Sequence, residues 1–180
     1  MSAKISDSQC SRYSAVVIDG VSNTDSPLWL KSLLSRVGQK PISLLVDITN
    51  YVMLTVGQPT HVFDFDSLDK GIEVRKASKG EKIKLLDGSE LKLNATDLVI
   101  ADSTKTLALA GIMGGDETGA GLETKKIVFE AANFDSISTR KTAGSYGIRT
   151  ESSMRFEKSL DPQNVKIAQA LLLRLSLIHI

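Results

Sequence analysis

Two side chains in this 180-residue sequence have both the chemistry and the setting to act on a bound substrate. His61 follows Pro59 and precedes the apolar and acidic run VFDFD; apart from His179 near the carboxyl end it is the only histidine. An imidazole titrates near neutral pH, so it suits a group that orients water or takes a proton. A lone histidine in such a place is more often structural, with its ring nitrogens bonded to nearby backbone. Glu130 stands in IVFEAANF, where every near neighbour except Asn133 is apolar or small. On either strand parity its carboxylate is expected to be partly buried, and burial without a partner is expensive. Two readings follow. One is a buried ion pair with an arginine such as Arg149 or Arg155; the other is a carboxylate that orients a substrate hydroxyl, amine or water.

Two further segments suit the wall of a site. The stretch ALAGIMGGDETGAG lacks both the lysine of GxxxxGK[ST] and the GxGxxG spacing, so it is a poor nucleotide cradle. Its paired glycines, Gly114 and Gly115, allow a ligand close to main chain and offer amides to a carbonyl or hydroxyl, although a simple tight turn is the more common explanation. RTESSMRFEK mixes hydroxyls and charges densely, as a solvated loop or a polar pocket wall would. There is no GxSxG elbow and no HExxH, and Asp64, Asp66, Asp87 and Asp116 have no recognised metal-ligand spacing. Serine hydrolase and metallohydrolase chemistry are therefore not expected, and no metal ligand is assigned.

Composition narrows the class. A charged fraction of 24% and a hydrophobic fraction of 42% describe an ordinary globular chain, long enough to bury a core without staples. The formal net charge of +1 argues against a protein that grips nucleic acid through its own field, so any nucleic-acid contact should be local or shared with other domains. Cys10 is the only cysteine, which excludes an internal disulfide and fits a reducing, cytoplasmic setting. The leading MSAKISDSQCSRYS has no signal-peptide core, and no run is long enough to span a bilayer.

The elements that must hold these residues can be read in order. RYSAVVIDGV alternates as a strand. Ser26, Pro27 and Gly38 supply an N-cap, a first-turn proline and a C-terminal glycine for the helix PLWLKSLLSRV. Leu44 to Ile48 reads as a buried strand, followed by a short helix capped by Thr49 or Asn50 and ended by Gly57, which leaves His61 just beyond a helix end. Short strands dominate from about Ile72 to Phe134, with Asp87-Gly88 as a hairpin turn. Asp135 caps a helix through SISTRKTAGSY that Gly147 stops, and Asp161-Pro162 opens a final helix. The mixed order favours α+β with a substantial sheet or sandwich over a doubly wound parallel sheet.

VDITNYVMLTVGQPTHVFD, ALAGIMGG, FEAANFD and YGIRTESSMRFEKSLDP together, in order and spacing, resemble the adjoining third and fourth domains of the bacterial phenylalanyl-tRNA synthetase β chain. The likeness runs from about Arg12 to about Leu173. It implies a three-layer module containing a β-sandwich of unusual topology, which hydrolyses tyrosine wrongly attached to tRNA(Phe). Residues 1–11 would then be a lead or linker, 12–173 the combined editing module, and 174–180 a truncated helix end in which LSLIHI is a candidate for foreign sequence. Carried over position by position, the resemblance puts His61 and Glu130 in the hydrolytic pocket and Gly114, Thr150 and Ser152 in its wall, with Asn50 a further candidate. RFEKSLDP stands where the family commonly has RFERGVDP, and Ser152 occupies an often alanine-like position.

The resemblance also implies a parent α2β2 enzyme in which the α chain holds ATP, magnesium and phenylalanine, so this chain would need no cofactor of its own. The alternatives are a non-catalytic scaffold or tRNA-guiding module of the same β chain, and a free-standing relative acting on another ester.

Overall fold

The computed structural model describes residues 1–179, the last of them by its backbone alone. Ile180, the end of the segment expected to be a truncated or foreign tail, lies outside the described residues. The elements run β1 (Ala3–Ile5), β2 (Cys10–Asp19), α1 (Leu28–Arg36), α2 (Leu44–Val56), β3 (Thr60–Asp64), β4 (Ile72–Lys76), β5 (Lys82–Lys84), β6 (Glu90–Lys92), β7 (Leu98–Ala101), β8 (Thr106–Leu109), β9 (Met113–Gly114), β10 (Lys126–Phe134), α3 (Ser136–Tyr146), α4 (Glu151–Phe156) and α5 (Asn164–His179). This is the expected α+β class.

Two sheets face one another. One has the order β2-β10-β3, and the other the order β1-β4-β7-β8-β9; β5 and β6 form a separate hairpin. Strand alternation explains the layers. Val128, Ala132 and Phe134 of β10 and Phe63 of β3 meet Ile72, Val74, Leu98, Ile100 and Leu107 of the other sheet in one apolar layer. The opposite parity of β10, Ile127, Phe129 and Ala131, packs on Leu30 and Leu34 of α1, Leu45, Ile48 and Val52 of α2, and Val165, Ala168 and Leu172 of α5. A helical layer and a two-sheet sandwich therefore share β10 as their central strand. A further partial layer, the β5–β6 hairpin with Ala143 of α3, covers Val99, Ala101 and Leu109 on the far face of the larger sheet.

Some local expectations hold in detail. Asp135 accepts the Ser138 amide at the start of α3, Gly147 ends it at φ 66°, and Lys84 pairs with Glu90 across the Asp87-Gly88 turn. Others do not. Leu44 to Ile48 is not a strand: it is the first half of α2, which runs unbroken to Val56. Five residues of which four are apolar have no period to separate strand from helix. The tell was Asp47, a carboxylate in the first helical turn.

Ser26 is not the N-cap of α1, since Pro27 holds that place. Ser26 instead donates to fully buried Asp47 at 2.6 Å, where the Ile42 amide also donates at 2.8 Å. A buried carboxylate is the stronger acceptor and takes the hydroxyl. Within the lead expected at residues 1–11, Ala3–Ile5 pairs in parallel with Ile72–Val74 as an edge strand.

Candidate functional site

The end of α2 places His61. Gly57 closes the helix in the left-handed region at φ 74°, with its amide bonded to Met53 O. Fully buried Gln58 then donates to Ala132 O of β10 at 2.8 Å and to Pro59 O at 3.1 Å, so the chain enters β3 already docked on the central strand. From there the register sets His61 opposite Glu130. Cross-strand partners hold their Cβ atoms about 4.5–5.5 Å apart on one face. That face is the inner one, toward the second sheet.

Within β10 every residue from Ile127 to Phe134 is buried, and only two are polar. Asn133 is fully used: its amide donates to Leu160 O at 2.7 Å and its oxygen accepts from Ser11 at 2.6 Å. Glu130 has neither a hydrogen bond nor an ion pair among the described residues. Neither arginine expected as its partner reaches it: Arg149 is exposed, and Arg155 bonds Glu151 at 2.5 Å, one helical turn away on α4. Burial alone drives the Glu130 carboxyl up from 4.5 to about 8. Burial also drives the His61 imidazole down from 6.5 to about 4, and its Nε2 is buried without a partner. At neutral pH the two face each other as an acid and an imidazole, both uncharged.

Both open into a cavity of about 220 Å³, and so do Asn50, Gly114, Thr150 and Ser152. All six residues singled out from the sequence thus line one space. Gly114 shapes it by what it lacks: a Cβ there would lie 2.6 Å from His61 Cε1 and 2.9 Å from Nε2. The ring is held on its other side by an edge contact with Phe63, centroids 4.5 Å apart. Gly114→Ala is therefore expected to displace the imidazole. The expected outcome is about a 10²-fold loss of any His61-dependent turnover, together with a destabilisation of about 1–3 kcal/mol from overpacking. Kinetics and thermal unfolding on the same preparation check both.

The neighbouring groups have structural duties that their sequence does not announce. Gly115 does not offer a free amide, for it donates to Leu107 O at 2.8 Å. Thr150 and Ser153 form the capping box of α4, a short helix that the hydroxyl-rich sequence conceals. Thr150 also donates to Ile112 O at 2.8 Å, and Ser152 donates to Gly111 O at 3.1 Å. These two hydroxyls bind α4 to the β8–β9 turn and so fix the height of Gly114 against His61; their remaining lone pairs are what they can offer a ligand.

Sequence reasoning missed the apolar part of the wall, chiefly Leu86 from the β5–β6 hairpin, Met113, Phe134 and Phe156. The Asp87-Gly88 signal marked the turn beside Leu86, but nothing local says which strand the hairpin will overhang. A larger groove of about 550 Å³ lies between α3 and residues 94–97. Its one deeply buried carboxylate, Asp97, accepts from Tyr146 Oη at 2.6 Å, the Asn94 amide at 2.8 Å and Thr142 at 3.3 Å. The smaller cavity is the one with unsatisfied chemistry. Among the described residues there is no group of three or more His, Cys, Asp and Glu side chains placed to hold a metal, and no helix is long and apolar enough to cross a membrane.

The sequence profile of the B3/4 domain matches residues 9–178. The chain belongs to the B3/4 domain family. Across 176 residues this B3/4 domain is 49% identical to the phenylalanine–tRNA ligase beta subunit of Aquifex aeolicus (strain VF5), a match covering 98% of this chain and 23% of that one. It is 50% identical over 153 residues to the beta subunit of Vibrio parahaemolyticus serotype O3:K6, covering 84% and 19% of the two chains. The chain therefore spans about a fifth to a quarter of the length of these curated relatives. Its fold is also that of an N-terminal fragment of the phenylalanyl-tRNA synthetase beta-subunit from Pyrococcus horikoshii. That match has a TM-score of 0.53 at 14% identity and covers 83% of this B3/4 domain and 48% of the fragment.

Proposed function

We propose that this B3/4 domain is the editing module of a phenylalanine–tRNA ligase β subunit, hydrolysing the ester of tyrosine wrongly joined to tRNA(Phe). The observation that carries the reading is Glu130: a carboxyl buried in the central strand, without a partner, opening into a cavity beside His61 and Gly114. Tyrosine differs from phenylalanine by one hydroxyl, and a site that only lacks room for it discriminates imperfectly. A site that hydrogen-bonds it selects the other way. The tyrosine phenol donates to Glu130, whereas phenylalanine seals the carboxyl off unpaired and loses the free energy of a buried polar group, about 1–3 kcal/mol.

The aromatic ring lies along the apolar wall, and the ester reaches the part of the cavity where Gly114 meets the imidazole. His61 Nε2 orients water or the terminal ribose hydroxyl toward the carbonyl carbon, and main chain near Gly114 approaches the developing oxyanion. Asn50 at the α2 side and the lone pairs of Thr150 and Ser152 border the aminoacyl group.

The parent assembly in this reading is an α2β2 enzyme of the cytoplasm. Its α chain supplies the ATP, magnesium and phenylalanine sites, and the tRNA body binds mainly outside this near-neutral chain. The test is a comparison of esters in the intact ligase. Tyr-tRNA(Phe) is expected to be deacylated far faster than Phe-tRNA(Phe), and the difference should disappear when this module is deleted from the β subunit. Equal rates with and without the module would refute the editing reading.

A further inference from the structure

Among the described residues four side chains bury a polar atom with no partner: Tyr13, Gln58, His61 and Gln169. Native interiors seldom leave such atoms orphaned, so each asks for an explanation. That of His61 Nε2 belongs to the site above. Tyr13 Oη is a different case, since Tyr13 does not border the cavity at all. It sits on β2 opposite Ala132, while Ala15, two residues on, is opposite Glu130. Tyr13 and Glu130 are thus diagonal neighbours on one sheet face, within reach of a long aromatic side chain.

Tyr13 and Ala15 both pack on the inner apolar layer, and β2, which carries them, flanks β10 on the side opposite β3, which puts the phenol behind Glu130 as seen from His61. The two feel each other: after burial, the Glu130 charge is the next cause that raises the phenol's pKa. A buried donor without an acceptor therefore stands near a cavity-lining carboxyl that has no hydrogen bond among the described residues.

We propose that Tyr13 is a positioning residue for Glu130: its hydroxyl donates through one buried water to one carboxyl oxygen, and so aims the other oxygen into the cavity. The proposal deepens the editing reading, on which only its consequence for tyrosine rests. A carboxyl that serves as acceptor for a ligand hydroxyl needs a fixed orientation, and a second donor from behind both fixes it and favours its ionised form. A water in that position would satisfy Tyr13 Oη as well, as buried waters do for otherwise orphaned groups. Other titratable groups facing Glu130 are Cys10 of β2, whose thiol burial and the Glu130 charge push up to about 12, His61 of β3, and at the mouth Glu151 of α4, held by Arg155. The facing strands β7 and β8 contribute Ile100 and Ala108. Among the described residues on this face, only the Tyr13 hydroxyl is a buried donor left unused behind the carboxyl.

The test is Tyr13→Phe in this chain with 13C-labelled glutamate carboxyls, the Glu130 signal being assigned from its absence in Glu130→Gln. Loss of the donor is expected to raise the Glu130 titration midpoint by about one pH unit. The affinity for tyrosine amide is expected to fall about tenfold while that for phenylalanine amide stays unchanged. In the Glu130→Gln background Tyr13→Phe should no longer change the tyrosine amide affinity. A structural role alone would move the unfolding temperature but not the titration. An unchanged Glu130 midpoint overturns the proposal, whatever happens to affinity. If the parental chain shows no preference for tyrosine amide, the editing reading is what fails, and the midpoint still decides the role of Tyr13.

Discussion

Glu130→Ala in the intact ligase is expected to slow deacylation of Tyr-tRNA(Phe) about 10- to 100-fold, the equivalent of one hydrogen bond to a buried carboxyl. Deacylation of Phe-tRNA(Phe) is expected to stay level or rise, because the same substitution removes the group that phenylalanine would leave unpaired. On the editing reading, selectivity between the esters therefore collapses from both sides, while phenylalanine activation is expected to stay unchanged. A general loss of folding would lower both rates together, so the ratio of the two rates is the measurement.

Stability supplies an independent check. With its carboxyl raised from 4.5 to about 8 in the folded state, Glu130 holds a proton that the unfolded chain releases. Across roughly pH 4.5 to 8 the folded chain binds more protons than the unfolded one, so this group makes stability fall as pH rises, by at most about 1.4 kcal/mol per pH unit. His61, lowered to about 4, has the opposite slope and acts only between about pH 4 and 6.5, where stability falls as pH falls. Glu130→Gln should therefore gain stability over the parental chain progressively from about pH 5 to pH 8, as read by chemical denaturation at each pH. A variant that gains nothing over that range would show that the carboxyl is solvated, and the tyrosine-selection argument would lose its physical basis.

What could be read in advance divides along physical lines. The ends of α3 and the β5–β6 turn were legible because their determinants are local: an Asp three residues before the amide it accepts, a glycine where φ is positive, an Asp-Gly pair between two short strands. The first half of α2 was illegible for the opposite reason, since Leu44, Leu45 and Ile48 are buried whether the backbone is extended or helical, and tertiary packing decides. α4 was hidden because a six-residue helix tied down by Thr150, Ser152 and Ser153 needs almost no apolar stripe.

The site shows the same division. Its members were named from the motif resemblance, which carries the crossing of distant strands with it; composition left His61 and Glu130 divided between structure and chemistry. Both partners considered for Glu130 failed: Arg149 is exposed, and Arg155, one helical turn from a glutamate, pairs locally with Glu151. Only the β10–β3 register, which sets residue 130 against residue 61, makes the isolation of that carboxyl visible.

His61→Ala is expected to lower kcat for Tyr-tRNA(Phe) deacylation by about 10² with little change in KM, and the size of the loss in a conservative variant identifies what the imidazole does. A general base works best with a pKa near the operating pH. An imidazole lowered to about 4 is wholly neutral at pH 7, which keeps Nε2 open to a hydrogen bond, but it is too weakly basic to draw a proton far from water. The geometry favours a group that holds the nucleophile: Nε2 is buried and unpartnered, its ring lies against Phe63 and the bare backbone of Gly114, and among the described residues no carboxylate is bonded to the ring to raise its basicity. His61→Gln, which keeps a hydrogen-bonding tip at similar reach, should therefore recover a substantial part of the rate lost in His61→Ala. The parental pH–rate profile should also show no inflection near 6.5, since the imidazole does not titrate there in the folded chain. A rate that rises with deprotonation near pH 6.5, with His61→Gln as slow as His61→Ala, would instead make His61 a true base and would require a partner for its ring that the bound tRNA brings with it.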